Sequence, residues 1–267
     1  MRQLLFKPGE LTLAHVEGRR VRYLHPWRLF LVINVLYFLV QPFSGFGGYN
    51  NSLRSQMERQ VYSDWSDIPG KVLEQVRLDL RETLVAEGVS VDSLGSEVHR
   101  SRGSTAFRDY EERFNQRSST LSRSLILLFI PCFAVLLWLL FVRSKDALAA
   151  DHAVFATHFM SWQLLAMGCV YLPLVGLASR LAIWLAGGPV EFSEILEANP
   201  GLDWLLNFIG EQSTLIFIVV YLYLAARRAY GDGRGAAALR ASALTVANVP
   251  LIWAYRFLLF WLTYWTV

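Results

Sequence analysis

The chain has 267 residues, 54% hydrophobic and 18% charged, with a formal net charge of +3 and a mean hydropathy of +0.34. A soluble globular domain carries about 25% charged residues, and a nucleic-acid partner calls for a strongly basic surface, so composition argues against both. The two cysteines, Cys132 and Cys169, sit in apolar blocks; they cannot hold a metal by themselves and read as small buried hydrophobes.

Residues 1–26 form a basic segment, running KPGELTLAHVEGRRVRYLHPW from Lys7 to Trp27, with Leu11, Ala14, His15 and Val21 as its less polar side. It reads as cytoplasmic and as lying along the inner leaflet, where Arg19, Arg20 and Arg22 meet anionic headgroups at about 1 kcal/mol each. A basic flank that serves topology alone explains the same residues. The first apolar block, WRLFLVINVLYFLVQPF at 27–43, has no small-residue cleavage site behind it, so it reads as a retained anchor rather than a secretory signal.

Four more apolar blocks follow: 125–142, about 153–179, 204–226 and 241–267. A lipid-embedded segment of about 20 residues must satisfy its own backbone, so each predicts a transmembrane helix. Pro131, Pro173 and Pro250 fall inside these blocks and predict kinks. The fold class is therefore all-α: a polytopic membrane protein with about five transmembrane helices, an extracytoplasmic helical segment at 44–124 between the first two, and a four-helix transmembrane region at 125–267.

Lys and Arg near the spans set the orientation. Twelve basic residues fall on one side: Arg2, Lys7, Arg19, Arg20, Arg22, Arg28, Arg143, Lys145, Arg227, Arg228, Arg234 and Arg240. The short connection on the other side holds Arg180 against Glu191, Glu194, Glu197, Asp203 and Glu211. This predicts a membrane protein with its N-terminus in the cytoplasm and its C-terminus outside. Trp27 and Trp138 then lie near the inner interface, and Trp204, Trp261 and Trp265 near the outer one, as amphipathic rings prefer. Within 44–124, SGFGGYNNS reads as a loop. Val72, Val76, Leu80 and Leu84 mark an amphipathic helix stopped by Gly88, and 105–124 predicts a helix running into the second span. Packed together, these outer helices would form a cap open to a protein partner; a solvated or membrane-lying coil fits the same residues.

Ionisable groups inside spans are functional candidates by default. In DHAVFATHF at 151–159, His152 and His158 lie six residues apart, about 240° around a helix, so this helix alone cannot chelate an ion with both. Asp151 and His158 do share a face, about 10 Å apart along the axis, and a common site would need His25 or Tyr23. A metal or proton-handling cluster and a hydrogen-bonded interfacial set both fit. Glu211 and Arg256 fall at similar depth in adjacent antiparallel spans and predict an intramembrane ion pair, either locking helices or serving as an anion site or gate. Asn34, Gln163 and Asn248 predict interhelical hydrogen bonds. GDGRG at 231–235 reads as a flexible turn, because no strand precedes it. The adjacent Glu111 and Glu112 read as a solvated face. No catalytic arrangement, metal site or cofactor is indicated.

Two stretches carry a family resemblance: LLFKPGELTLAHVEGRRVRYLHPWRLFLVINVLYFLVQP near the N-terminus, and PCFAVLLWLLFVRSKDALAADHAVFATHFMSW in the middle. Together they resemble an uncharacterised bacterial multi-spanning membrane family, the domain of unknown function thirty-six sixty-seven. The resemblance singles out Gly18, Arg19, Arg22, Tyr23, Pro26, His152, Phe155 and His158. Many relatives begin with a four-cysteine zinc ribbon; those cysteines are missing here, so the resemblance implies no zinc. Both blocks land at the cytoplasmic ends of spans one and three, which groups Arg19, Arg22, Tyr23, His25, Asp151, His152 and His158 as one cytoplasm-facing polar site. Three functions are compatible with this. The first is a non-enzymatic accessory, scaffold or lipid-contacting component. The second is a small transporter or channel-like protein, and the third a membrane-embedded enzyme acting at lipid headgroups.

Overall fold

Long apolar runs fold as helices because a helix pairs every interior backbone group within one segment. The structure, a computed structural model, describes residues 2–19, 24–44, 53, 105–141, 149–189, 195 and 198–267, and among them there is no strand. In chain order the helices are α1 (Arg2–Phe6), α2 (Glu10–Val16), α3 (Pro26–Ser44), α4 (Thr105–Leu125), α5 (Phe129–Phe141), α6 (Ala149–Trp162), α7 (Leu172–Leu185), α8 (Pro200–Ala229) and α9 (Arg234–Tyr264). A 3₁₀ turn, Ile126–Leu128, joins α4 to α5, and a nine-residue π-helix, Gln163–Tyr171, joins α6 to α7. The helix expected at 71–88 lies outside the described residues.

Three helical stretches are long and apolar enough to cross a membrane: Tyr110–Phe141, Ala149–Leu185 and Arg234–Tyr264. Pro26–Gln41 is a shorter apolar helix. The third predicted block proves longer than the sequence pattern indicated, because the helix continues through Asp151 and His152 at one end and through Arg180 to Leu185 at the other.

The prolines account for the departures from regular α-helix. Pro131 cannot donate to the carbonyl of Leu127, and the 3₁₀ turn lies at that residue. Pro173 cannot donate to Cys169, which lies inside the π-helix. Pro250 sits within α9, where the chain divides into two compact units: Met1–Phe46 with Leu128–Pro250, and Gly47–Leu127 with Leu251–Val267.

In the first unit α6 is the central element. It packs on α5, α3, α2 and α1, and the π-helix packs on α3 and α7. Phe30, Ile33, Phe133, Leu137, Phe159, Leu164 and Leu222 are buried in this core. Gly168 brings α3 close: a Cβ there would lie 2.3 Å from the ring of Tyr37, itself 2% exposed.

The N-terminal segment also joins this core. Helices α1 and α2 form a short hairpin packed on α6, and α2 reaches α8. Leu4, Thr12 and Ala14 are buried, Leu11 and His15 are half-buried and Val16 is exposed; of the less polar side read from sequence, Val21 lies outside the described residues. The turn at Pro8–Gly9 sets this docking. Gly9 adopts φ +79°, and a Cβ there would lie 2.8 Å from the carbonyl oxygen of Ala225. Gly18, also at φ +79°, closes α2: its N–H donates to His15, and the N–H of Arg19 donates to Ala14.

The second unit is built on α4 and the C-terminal part of α9. Phe114 packs on Phe260 at 5.6 Å between ring centroids. The Tyr255 hydroxyl donates to the Ser122 carbonyl at 3.3 Å, and the N–H of the buried Leu53 donates to Asn115 Oδ1 at 2.9 Å.

Candidate functional site

The two histidines of α6 face different neighbours, as their angular separation requires. His158, 4% exposed, shares a hydrogen bond between its Nδ1 and Thr12 Oγ1 on α2 at 3.0 Å. Around it stand His15 of α2 and His25, the residue just before α3. Their rings meet edge to face at 5.9 Å between centroids, and both lie near enough to His158 to interact with it electrostatically. Imidazoles from α2, from α6 and from the chain just before α3 therefore lie near one another.

Polar contacts hold the hairpin from its other side. Arg228, near the end of α8, donates to the Pro8 carbonyl at 3.2 Å and approaches the Glu10 carboxylate at 3.9 Å. The Pro-Gly-Glu sequence thus reads as a docking turn: proline and glycine set the backbone, and the carbonyl and carboxylate meet one guanidinium.

His152, 1% exposed, joins a second group. Its Nδ1 shares a hydrogen bond with the Tyr230 hydroxyl at 2.9 Å. Tyr230 stacks on Phe141 of α5 at 4.0 Å, and Arg240 of α9 lies 4.2 Å over the other partner of that stack, the Phe141 ring. Arg240 pairs with Asp232, so the Gly-Asp-Gly turn is tied to α9 rather than loose. Burial raises the Tyr230 phenol above its ordinary value; the carboxylates of Asp151 and Asp232 push the same way and Arg240 opposes them.

The residues grouped from sequence therefore separate. His25 and His158 come together, joined by His15 and Thr12, while Asp151 and His152 belong with Tyr230. Arg19 is exposed and pairs with Glu17. Arg22, Tyr23 and the side chain of Glu211 lie outside the described residues, and so does the Glu211–Arg256 pairing. Gln163 Oε1 and Asn248 Oδ1 are buried and accept no hydrogen bond among the described residues. Among the described residues no three His, Cys, Asp or Glu side chains are placed to hold a metal ion.

Sequence reasoning missed Thr12, Tyr230, Asp232, Arg240 and Phe141. Only the glycine turn at 231–233 marked a place where the chain brings such residues back toward α6.

The family model described as a protein of unknown function (DUF3667) matches residues 1–38. This stretch contains the docking turn, Thr12, His15, the Gly18 closure, His25 and most of α3. The second stretch of resemblance, around His152 and His158, lies beyond the match. No curated protein and no solved structure matches the chain.

Proposed function

We propose that this protein is a five-span component of the bacterial inner membrane, N-terminus in the cytoplasm and C-terminus outside. In this reading it serves as a non-enzymatic accessory or scaffold that contacts anionic lipid at its N-terminal segment and offers residues 44–124 to a protein partner. One observation carries the non-enzymatic reading: His152 and His158 each bond a partner inside the first unit, Tyr230 and Thr12, in different directions. A headgroup enzyme needs such groups convergent on one reacting atom.

The lipid contact is supported by what the N-terminal segment exposes. Phe6, Val16, Leu24 and Trp27 present apolar surface, and Arg2, Lys7, Arg19 and Arg28 are exposed among them. Apolar side chains with interleaved cations match an anionic leaflet. The test is to purify the protein from mixed bilayers of phosphatidylglycerol and phosphatidylcholine and measure the lipid retained. Enrichment of phosphatidylglycerol that falls at least twofold in a Lys7→Gln, Arg19→Gln, Arg28→Gln variant supports the reading. Equal retention by both proteins sinks it.

A transporter is the second reading, favoured by the buried Gln163 and Asn248 oxygens, which a solute carrying N–H or O–H donors would satisfy. It requires solute uptake into vesicles that Gln163→Leu abolishes.

A further inference from the structure

The turn between α8 and α9 carries a carboxylate of which only one oxygen is used. The Asp232 side chain is 9% exposed, and its Oδ1 pairs with Arg240. Oδ2 is buried and accepts no hydrogen bond among the described residues. Rotation cannot relieve this, as it could for an amide, because both ends of a carboxylate only accept. A buried anionic oxygen in this state calls for a donor. We infer that the turn binds the headgroup of a phosphoethanolamine lipid, with the ammonium on Asp232 and the phosphate at Arg234 and the start of α9.

The place in the fold suits a headgroup. Helix α9 is long and apolar enough to cross a membrane from Arg234 onward. The inference rests on that crossing and not on which leaflet the turn meets. Asp232 stands two residues before the span, at the level where headgroups lie. There is room beside it: a Cβ added at Gly231, Gly233 or Gly235 would meet nothing within 4 Å.

The same turn offers an anion partner. Bonding along α9 starts with the N–H of Ala237, which donates to Gly233. The N–H groups of residues 234–236 therefore have no acceptor inside the helix, and they face the end where its dipole favours negative charge. Arg234 is exposed beside them. The other arginines nearby are engaged. Arg227 lies over Tyr223, Arg228 meets Pro8 and Glu10, and Arg240 pairs with Asp232 while lying 4.2 Å over the Phe141 ring. Holding Arg240 there fixes the partner of Oδ1 and leaves Oδ2 to the ligand.

The pairing selects the class of lipid. A primary ammonium brings positive charge and N–H donors together. A choline headgroup brings the charge without the donors, and a glycerol headgroup brings O–H donors without the charge.

The test is native mass spectrometry of the full chain in detergent. No anionic lipid is added, so the contact proposed for the N-terminal segment plays no part. The ligands are phosphatidylethanolamine, its N,N-dimethyl derivative, phosphatidylcholine, and glycerophosphoethanolamine, which lacks acyl chains. Phosphatidylethanolamine should bind about tenfold tighter than phosphatidylcholine, the worth of one hydrogen bond to a charged group. The dimethyl derivative keeps one N–H and should stay with phosphatidylethanolamine. Asp232→Asn should erase the preference. Arg234→Gln should weaken both lipids alike and keep the preference, because it meets the phosphate they share. Equal binding of the two lipids by the wild type overturns the site, and so does a preference that Asp232→Asn retains or Arg234→Gln removes. Glycerophosphoethanolamine that binds as tightly as the lipid overturns the lipid as occupant. A chain that stays in solution without detergent overturns the membrane crossing instead. The wild-type series and Arg234→Gln decide the matter even where Asp232→Asn does not fold.

Discussion

Thr12 and His158 lie 146 positions apart in sequence and 3.0 Å apart in the fold. Each is an ordinary residue in its own helix. Removing one partner of a buried hydrogen bond leaves the other unsatisfied, at about 1–3 kcal/mol. Thr12→Val, which keeps the shape, should lower the thermal midpoint in detergent, and Thr12→Ser should restore it. Equal midpoints for Val and Ser would show that the bond adds nothing. Tyr230 makes a prediction with a sign. Its phenol is raised in the folded protein, so the neutral form is favoured by folding. That stability is fully present below the ordinary tyrosine value of about 10 and is lost as pH rises through the higher folded value. The stability advantage of the wild type over Tyr230→Phe should therefore be constant at neutral pH and shrink in strong alkali, which thermal unfolding across that range checks. Of this chemistry, His152 and His158 were legible in sequence, as polar residues entering an apolar block. Their partners were not, because a hydrogen bond records where two chain segments meet and leaves no periodicity behind.

At the scale of elements, the three long apolar helices were readable from apolar runs and their internal departures from the prolines. The kind of departure was not readable. Pro131 is accommodated by a 3₁₀ turn and Pro173 by a π-helix, although both remove the same backbone donor. The surroundings differ: in the second case Gly168 lets Tyr37 press on the widened turn. Gly168→Ala should overpack that contact by about 1–3 kcal/mol, read as a lower thermal midpoint. The double variant Gly168→Ala, Tyr37→Leu should recover most of the loss if the ring is the obstacle. Helices α1 and α2 give the opposite lesson. They are too short to be stable alone, and the basic residues that flank them pointed to the leaflet. A turn that fits only glycine against Ala225 docks them on α6 and α8, which no periodicity announced.

For the whole molecule, the proposed threading rests on the twelve basic residues of the short connections and termini. Alkaline phosphatase fused behind Val267 should be active and a fluorescent protein fused there dark, with the reverse at the N-terminus. A fluorescent C-terminal fusion would invert the proposed arrangement and detach residues 44–124 from any extracytoplasmic partner. Replacing Arg227, Arg228, Arg234 and Arg240 together by glutamine should leave a mixed population, since these four carry the bias nearest the last spans.

The amino-acid sequence alone settles that this chain is helical and apolar enough to enter a bilayer, because hydrophobic length and proline chemistry act locally along the chain. Tertiary structure decided the rest: that His152 and His158 serve separate groups, that His15 and Thr12 belong beside His158, and that the basic N-terminal segment folds back as a docked hairpin. Those outcomes depend on which helices become neighbours, and a linear pattern does not encode adjacency between distant segments.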